Sequence, residues 1–506
     1  MSARLVDRTA AVARAVGDRA PRILILLCAL VAAVALTDLA LRAALRLDEN
    51  WDGLAYHLPF AAMRAGISIP YEISDQFKGF FEGFPPLPEL TQGILWRLTG
   101  SVNAAGLANY LAFFLFITYC HVVLRAPFYL VALISLTAPL VLIHTTVLYV
   151  DLFGNALLAI GLSSCLYLYL FPEKAGRAVI VGGLAGLTAA AWSKYQMAPI
   201  AGLAFCMFAI LGWRSTRPLG VSRRQFATLL VLAVSLASIP YLKNFFVYGN
   251  PFWPVRIPVI GDMFPYIRNQ LTDDAATQKP YALRDLGQFP LFVRSLFEID
   301  VPTTYPNMAR WSIDQWGLGP NSLGFRMGGF WVTGVVTYLA STIAMLFVLG
   351  RRTAIVAGVS IIGVISFVGF LPQAHELRYY MFIPLTLAAA FGMLFPYVRV
   401  ALPKAALVLP MMVLVLFFQM VSENATYYRI ENVGYVQVAQ DWGAADLWSK
   451  LQRDQTYCTV GFGMQARSIL LTGPTMSEYK IVVRSTWSLC PAGSIVITTD
   501  GIQGPR

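Results

Sequence analysis

Charged residues are scarce in this chain of 506 residues. They make up 13% of it, about half of the share that is usual for a soluble domain, and this excludes a large soluble enzyme. Glycine (39) and proline (29) are too few for a collagen-like or low-complexity chain. Cysteine (6) and histidine (4) are rare as well, and neither occurs in the Cys-x-x-Cys or His-rich spacing of a zinc site.

Apolar residues dominate instead. They account for 57% of the chain, and the mean hydropathy is +0.61, which predicts a polytopic α-helical membrane protein. The net charge of +11 does not indicate a nucleic-acid partner. The basic residues lie in short breaks between apolar runs, which is the bias that orients membrane helices.

Eleven apolar runs approach the length needed to cross a bilayer. A polar, basic stretch precedes the first run, which is too long for the core of a signal peptide, so we expect an uncleaved first membrane helix. The predicted spans are 23–41, 104–120, 127–149, 152–171, 178–192, 197–213, 226–242, 328–349, 353–371, 380–397 and 405–420.

Lysine and arginine in the short loops predict the orientation. With a cytoplasmic N-terminus, sixteen of them face the inside, and only Lys194 and Arg378 lie in short outside loops. Three longer segments, 48–103, 243–327 and 421–506, then face the outside. We therefore predict a transmembrane domain over 1–420, which carries the first two segments as outer loops, and a small external domain over 421–506.

The external tail has the pattern of a small α/β domain. Short apolar runs at 457–460, 480–483 and 494–498 predict strands, and 464–471 predicts a helix. An outer compartment permits a disulfide between Cys458 and Cys490, and two unpaired thiols are the alternative. The other four cysteines lie in apolar runs and are expected to be packing residues.

An acidic cluster follows the first membrane helix. Asp48, Glu49 and Asp52 lie within five residues, ahead of Tyr56 and His57. Asp48 and Asp52 share a face if the helix continues, and such carboxylates can act as a base or bind a cation. A solvated helix end, or Asp48 as an N-cap, is the alternative.

Further polar side chains fall on the same predicted side. Each has a structural alternative: a helix cap, a lysine reaching the interface, interfacial anchoring or an ordinary flanking charge. Their number on one face favours a shared site. They are Glu82 before the Pro85-Pro86 pair, Asp151, Lys194, Lys243, His375, Arg378 and Tyr379.

Together these motifs resemble the GT-C superfamily of integral-membrane glycosyltransferases. The nearest likeness is to the protein O-mannosyltransferase and lipid A aminoarabinose transferase branch, and it covers about residues 20–400. The resemblance implies a GT-C-like fold that transfers a sugar, with inversion, from a polyprenyl-phosphate donor to a glycan, lipid or protein acceptor. It also implies an active site on the outer face of a bacterial inner membrane, among membrane lipids.

The resemblance also implies roles for individual residues. Asp52, four residues before the aromatic Tyr56, is favoured as the catalytic base, and the Asp48-Glu49 pair is its rival. A departing phosphate needs cations. The candidates for binding donor or acceptor are Tyr56, His57, Asp151, Lys194, Lys243, His375, Arg378 and Tyr379. Glu82 is nominated as a ligand of a possible divalent metal.

Two alternatives remain open from the sequence. A transporter or flippase for a polyprenyl-linked glycan would place charge inside the helical bundle. Here only Asp38 and His144 lie within the predicted spans, both toward their outer ends. A polysaccharide polymerase or ligase is the alternative among enzymes.

Overall fold

The computed structural model describes most of the chain. Its described residues are 2–47, 52–67, 71–72, 75–215, 221–257, 263–267, 285–297, 299, 329–424, 434–441, 443–448, 450–452, 455–460, 469–470, 480–484, 489–498 and 501–505.

Helices dominate the described structure. They are α1 (Ser2–Leu45), α2 (Leu58–Arg64), α3 (Asp75–Gly83), α4 (Leu87–Thr99), α5 (Leu107–Val122), α6 (Phe128–Leu136), α7 (Pro139–His144), α8 (Asp151–Leu170), α9 (Arg177–Ala191), α10 (Met197–Ser215), α11 (Arg223–Tyr248), α12 (Gln288–Leu296), α13 (Val332–Leu346), α14 (Arg351–Val368), α15 (Phe382–Ala401), α16 (Ala405–Asn424), α17 (Tyr435–Asp441) and α18 (Ala445–Trp448). A π-helical turn, Gly53–His57, precedes α2, and a 3₁₀ turn, Leu377–Tyr380, precedes α15.

Nine of the eleven predicted spans are confirmed as helices long and apolar enough to cross a membrane, counted over the described residues. They are Pro21–Leu45, Val102–Val122, Asp151–Leu170, Met197–Arg214, Arg223–Tyr248, Val332–Leu349, Arg351–Val368, Leu377–Ala401 and Ala405–Ser422.

The other two predicted spans are shorter in the structure. The run 178–192 forms the 15-residue helix α9. The single span predicted over 127–149 is wrong, because the chain breaks there into α6 and α7. Pro139 opens α7, and Ala138 before it is extended, with ψ of 110°. Proline disfavours the helical conformation of the residue before it, and the extended Ala138 separates α6 from α7, which begins at Pro139.

Helices α8 and α15 form the centre of the bundle. They are the most deeply buried of the nine, whereas only 22% of the most apolar 18-residue stretch of α1, α11 and α14 is buried, as expected for helices that face lipid. Helix α8 packs against α5, α9, α10 and α15. The first residue of α8 is Asp151, and Arg378 lies in the 3₁₀ turn before α15, so two predicted site residues stand at the ends of the central helices.

A small sheet joins the tail to the first long loop. Its order is β1-β3-β2-β4-β5, parallel except for the antiparallel β4–β5 pair. The three strands predicted in the tail are confirmed; β5 and the edge strand β1, which comes from the first loop, were not predicted. Of the predicted helix 464–471, only 469–470 lie within the described residues. The strands are β1 (Tyr71–Glu72), β2 (Thr456–Val460), β3 (Lys480–Arg484), β4 (Ile495–Thr498) and β5 (Gly501–Pro505).

One apolar core is shared by the tail and the first loop. Leu54 and Leu58 from the loop belong to the same buried cluster as Tyr457 and Ile481 of the sheet. The tail therefore packs on the segment that carries Asp52.

The predicted disulfide is confirmed. Cys458 and Cys490 are bonded, with a sequence separation of 32, and Val496 packs against them.

We expect the double variant Cys458→Ser/Cys490→Ser to lose about 3–4 kcal/mol of tail stability, the chain-entropy value for a loop of this length. Limited proteolysis should then cleave the tail faster than in wild type, while Cys206→Ser, which alters a free exposed cysteine, should not change the cleavage rate. Labelling of both thiols in unreduced, denatured wild type would show that the bridge does not form.

The orientation of the helices can be tested by reporter fusions. A fusion after Ser215, at the end of α10, should report the cytoplasm, and one after Gly434 should report the outer side, as the distribution of basic residues predicts. Equal signals from the two fusions would contradict the predicted topology.

Candidate active site

Asp52 lies at the start of an unusual helical turn. The turn Gly53–His57 is π-helical, and the backbone N–H of Leu58 donates to the carbonyl oxygen of Gly53. A Cβ on Gly53 would lie 2.8 Å from the Cβ of Leu148, so only glycine allows this close packing. Single π-helical turns occur frequently at functional sites. The Asp52 side chain keeps 18% of its surface exposed, so a ligand can reach it.

Arg378 is the central cation of the site. Its side chain is only 7% exposed, and its Nη1 lies 3.7 Å from Oδ2 of Asp52. The Nε atom donates to Oε2 of Glu376 at 3.1 Å, and Nη2 donates to the hydroxyl of Tyr379 at 2.9 Å. The guanidinium also lies 5.2 Å from the ring centroid of Tyr149 and 4.9 Å from that of Tyr379. Arg378 is thus oriented by a carboxylate, a phenol and two aromatic rings.

Lys194 and Asp151 form a second ion pair beside Arg378. The Nζ of Lys194 lies 2.5 Å from Oδ1 of the fully buried Asp151. The same Nζ lies 4.4 Å from the ring centroid of Tyr379, so Tyr379 contacts both cations. Lys194 is 21% exposed. Lys194 and Asp52 are therefore the members of this cluster that solvent or a ligand reaches most easily.

Two buried asparagines that the sequence analysis missed hold the backbone of the site. Asn155 donates to the carbonyl oxygens of Asp151 and Arg378, at 2.8 and 3.3 Å, and accepts from the N–H of Phe382. Asn109 donates to the carbonyls of Val147 and Tyr149. Asn155 thus joins the start of α8 to the turn before α15, and Asn109 fixes the segment that leads into α8. Asn155 could have been found from the sequence, because it lies four residues after Asp151 on the same helix face.

His57 is buried and pairs with a glutamate that the sequence analysis also missed. Its Nδ1 lies 3.1 Å from Oε1 of Glu89 on α4, and the side chains are 3% and 2% exposed. Burial raises the pKa of Glu89, but the hydrogen bond and charge of His57, with the charge of Arg64, more than offset it, so the net pKa lies below its ordinary value. The sequence did contain an indication that this helix face is functional or buried, because a second polar residue, Gln92, lies three residues after Glu89 on the same face.

Tyr56 faces an aromatic cluster beside Asp52. Its ring stacks on Phe77 at 5.6 Å and contacts Phe60 and the ring of His57. Burial and the nearby Asp52 carboxylate raise the pKa of Tyr56 well above its ordinary value, so the phenol stays protonated and can donate a hydrogen bond.

Lys243 and Glu82 form a separate cluster. The Lys243 ammonium donates to the backbone carbonyl of Glu82, whose carboxylate accepts from the hydroxyl of Tyr248 at 2.9 Å. Asn244 and Tyr195 both donate to the carbonyl of Gly83, at 2.9 and 2.5 Å. Tyr195 follows Lys194 in the chain, so the two clusters are neighbours, but the described contacts place Lys243 with Glu82 and not with Arg378.

The remaining predicted site residues either have no part in the contacts given above or fall outside the described part of the chain. His375 is fully buried, and its carbonyl accepts from the hydroxyl of Ser295 on α12 at 2.5 Å. Asp48 and Glu49 lie outside the described residues. Their roles as base or electrostatic support stay predictions.

The predicted metal site has no complete ligand set in the described part of the chain. No group of three or more His, Cys, Asp or Glu side chains there is placed to hold a metal ion, and Glu82 is bound to Tyr248. Ligation of a divalent metal by Glu82 stays a prediction.

The charges in the Arg378 cluster are unbalanced. Two cations, Arg378 and Lys194, face three carboxylates, Asp52, Asp151 and Glu376. Since Glu376 and Asp151 are buried against their partners, Asp52 is the carboxylate that is least tightly held. The arrangement combines cations that can bind a phosphate with an accessible carboxylate that can accept a proton.

Comparison with known proteins gives a likeness in structure. No protein-family model and no curated protein sequence matches the chain. The structure resembles that of ArnT from Cupriavidus metallidurans in its apo state, with 15% identity and a TM-score of 0.46 over 89% of this chain and 84% of that one. It also resembles the same protein bound to undecaprenyl phosphate, with 15% identity and a TM-score of 0.49 over 89% and 85% of the two chains.

The phosphate-binding hypothesis for Arg378 predicts a loss of lipid binding. Arg378→Lys replaces a planar fork with a point charge, and hydrogen bonds to charged groups contribute about 1.5–3 kcal/mol. We expect a polyprenyl phosphate, measured by native mass spectrometry, to bind about 10-fold or more weakly.

The double variant Arg378→Gln/Glu376→Gln is a companion that leaves no buried carboxylate without its cation. It should lose binding to the same extent while remaining folded, and Arg42→Lys, whose arginine pairs with Asp38 on α1, should bind normally. Wild-type affinity in both Arg378 variants would exclude the assigned role.

Proposed function

We propose that this protein is a GT-C-type glycosyltransferase that moves a sugar from a polyprenyl-phosphate donor to an acceptor at the outer face of a bacterial inner membrane. The observation that carries the proposal is the accessible Asp52 carboxylate 3.7 Å from the buried guanidinium of Arg378. A base and a phosphate-binding cation thereby meet at the ends of membrane helices, where a lipid-linked sugar would present its reactive carbon.

The donor would lie with its prenyl tail among the apolar helices and its phosphate at the cations. Lys194 and Arg378 flank the ring of Tyr379 and supply the positive charge that stabilises a departing phosphate. Lys194, being the more exposed of the two cations, would meet the phosphate first.

The proposed reaction is a single displacement. Asp52 accepts the proton of the acceptor hydroxyl, whose oxygen forms a bond to the anomeric carbon of the sugar. The bond between that carbon and the phosphate oxygen breaks, and the electron pair leaves with the polyprenyl phosphate. Attack opposite to the leaving group inverts the configuration. A positioned general base contributes about 10²–10⁴ in rate.

The position of the charges favours an enzyme over the alternative of a transporter or flippase. Transporter sites lie near the bilayer midplane, where helices are broken. Here Asp151 is the first residue of α8 and Arg378 precedes α15, so the charged cluster lies at helix ends. A polysaccharide polymerase or ligase would use the same end of the bundle and would differ in its acceptor.

The rival base and the metal belong to the same proposal. If Asp48 or Glu49 is the base, Asp52 would instead orient Arg378.

If Glu82 contributes to a metal site, chelation with EDTA should abolish transfer and added Mg²⁺ or Mn²⁺ should restore it. Unchanged transfer in EDTA would remove the metal from the proposal.

Substitution of the acidic residues tests the base. Asp52→Asn is nearly isosteric, so it should lower turnover by about 10²–10⁴ and leave undecaprenyl phosphate binding intact. Turnover would be measured as transfer from a radiolabelled polyprenyl-phosphate sugar by the purified protein.

Asp48→Asn should have a smaller effect, and Asp38→Asn is the matched control, because Asp38 pairs with Arg42 on the lipid-facing helix α1. Near-normal turnover in Asp52→Asn with abolished turnover in Asp48→Asn would reverse the assignment of the base.

A further inference from the structure

The buried pair His57–Glu89 has no part in the reaction proposed above. The two residues are 32 positions apart, and their 3.1 Å contact joins the π-helical turn to α4. Within the described part of the chain, Nε2 of His57 and Oε2 of Glu89 are buried without a hydrogen-bond partner. The imidazole and the carboxylate therefore each have one hydrogen-bonded side-chain atom, and its partner is the other side chain.

Such a pair is an unfavourable way to stabilise a fold. Removing two ionisable groups from water costs more than their attraction regains unless all their polar atoms are satisfied. An apolar pair of the same size would pack at this place without that cost. The pair is best explained by what it holds in place.

What it holds is a turn of low intrinsic stability. π-Helices are rare and occur mostly as single turns inside α-helices. His57 is the last residue of the turn and Asp52 immediately precedes its first. A π-helical turn closes over one residue more than an α-helical turn. If the turn became α-helical, the residue before it would rotate about the helix axis, and Asp52 would move away from Arg378.

Helix α4 is a firm support for this contact. A Cβ on Gly93, four residues after Glu89, would overlap the carbonyl oxygen of Ala61 on α2, so α4 and α2 are in close contact there. Gln92 donates to the carbonyl of Leu148 at 2.8 Å, and Arg97 donates to the carbonyl of Ala65 at 2.7 Å. Glu89 therefore projects from a helix that is held against α2, which follows the turn, and against Leu148, which packs on Gly53 at the start of the turn.

We propose that Glu89 is a positioning residue, which, through its hydrogen bond to His57, holds the π-helical turn in the register that places Asp52 beside Arg378. The inference rests on the proposed function in assigning Asp52 to catalysis, whereas the holding of the turn is independent of it. A residue that only fills space in the core would lower stability without acting through Asp52.

The first measurement is amide hydrogen exchange over residues 53–58. Glu89→Leu removes the acceptor and should raise exchange in this segment about 10-fold or more, because local opening becomes easier. Glu89→Gln retains an oxygen that accepts from His57 and should raise it less. Thr91→Val, which removes a hydroxyl bonded within α4 itself, is the matched control and should leave the segment unchanged. Equal exchange in wild type and Glu89→Leu would overturn the proposal.

The second measurement is a double-mutant cycle on transfer rate. In the wild-type background, Glu89→Leu should lower kcat about 10–100-fold with KM for the donor unchanged, since misplacing a reacting group by about 1 Å costs this much. Glu89→Gln should recover most of the rate.

In the Asp52→Asn background, Glu89→Leu should change the residual rate less than about 2-fold, because residues that act as a unit are not additive. An equal fold-loss in both backgrounds would contradict action through Asp52. If wild type transfers no sugar at all, the proposed function fails, and the exchange measurement still decides whether Glu89 holds the turn.

Discussion

The arrangement of the site depends on the burial of one guanidinium. Arg378 is almost entirely removed from solvent, and a buried cation that is not paired and hydrogen-bonded is very costly. Glu376, Asp52 and the rings of Tyr149 and Tyr379 supply the required contacts. They come from three separate places in the chain, since Glu376 and Tyr379 lie in the same short segment as Arg378. Placing Arg378 therefore also fixes the first loop, the start of α8 and the start of α15 relative to one another.

The rest of the fold supports this arrangement from two directions. Within the bundle, Asn155 joins the starts of the two central helices through backbone groups, and Asn109 holds the segment that leads into α8. Outside it, the tail sheet takes β1 from the first long loop and shares an apolar core with Leu54 and Leu58. The segment that carries Asp52 is therefore held between the membrane helices and the tail, which suits the role proposed for Asp52, since a reacting group must be positioned closely.

Features that depend on local pattern were predictable from the sequence. Hydropathy located nine of the membrane helices, and short apolar runs located the three strands of the tail. The motifs that resemble those of GT-C enzymes, together with the predicted side of the membrane, identified five site candidates that the structure brings together: Asp52, Asp151, Lys194, Arg378 and Tyr379.

Features that depend on contacts between distant segments were not predictable. The partner of His57 is 32 residues away on a helix that is polar enough to pass for a surface element. The π-helical turn at Gly53 follows from its packing against Leu148, which belongs to another part of the chain. Lys243 was expected near the donor phosphate because it lies on the predicted outer side of the membrane. Its contact with Glu82 depends on how the first long loop folds, which the sequence did not show.

Under the proposed function, the Arg378 cluster performs transfer and not transport. The most direct measurement is to place the purified protein in proteoliposomes containing a radiolabelled polyprenyl-phosphate sugar and an extract of membrane lipids and glycans. We expect label to move onto an acceptor with release of an equal amount of polyprenyl phosphate. Label that crosses the bilayer still attached to its polyprenyl phosphate, with no new product, would contradict it.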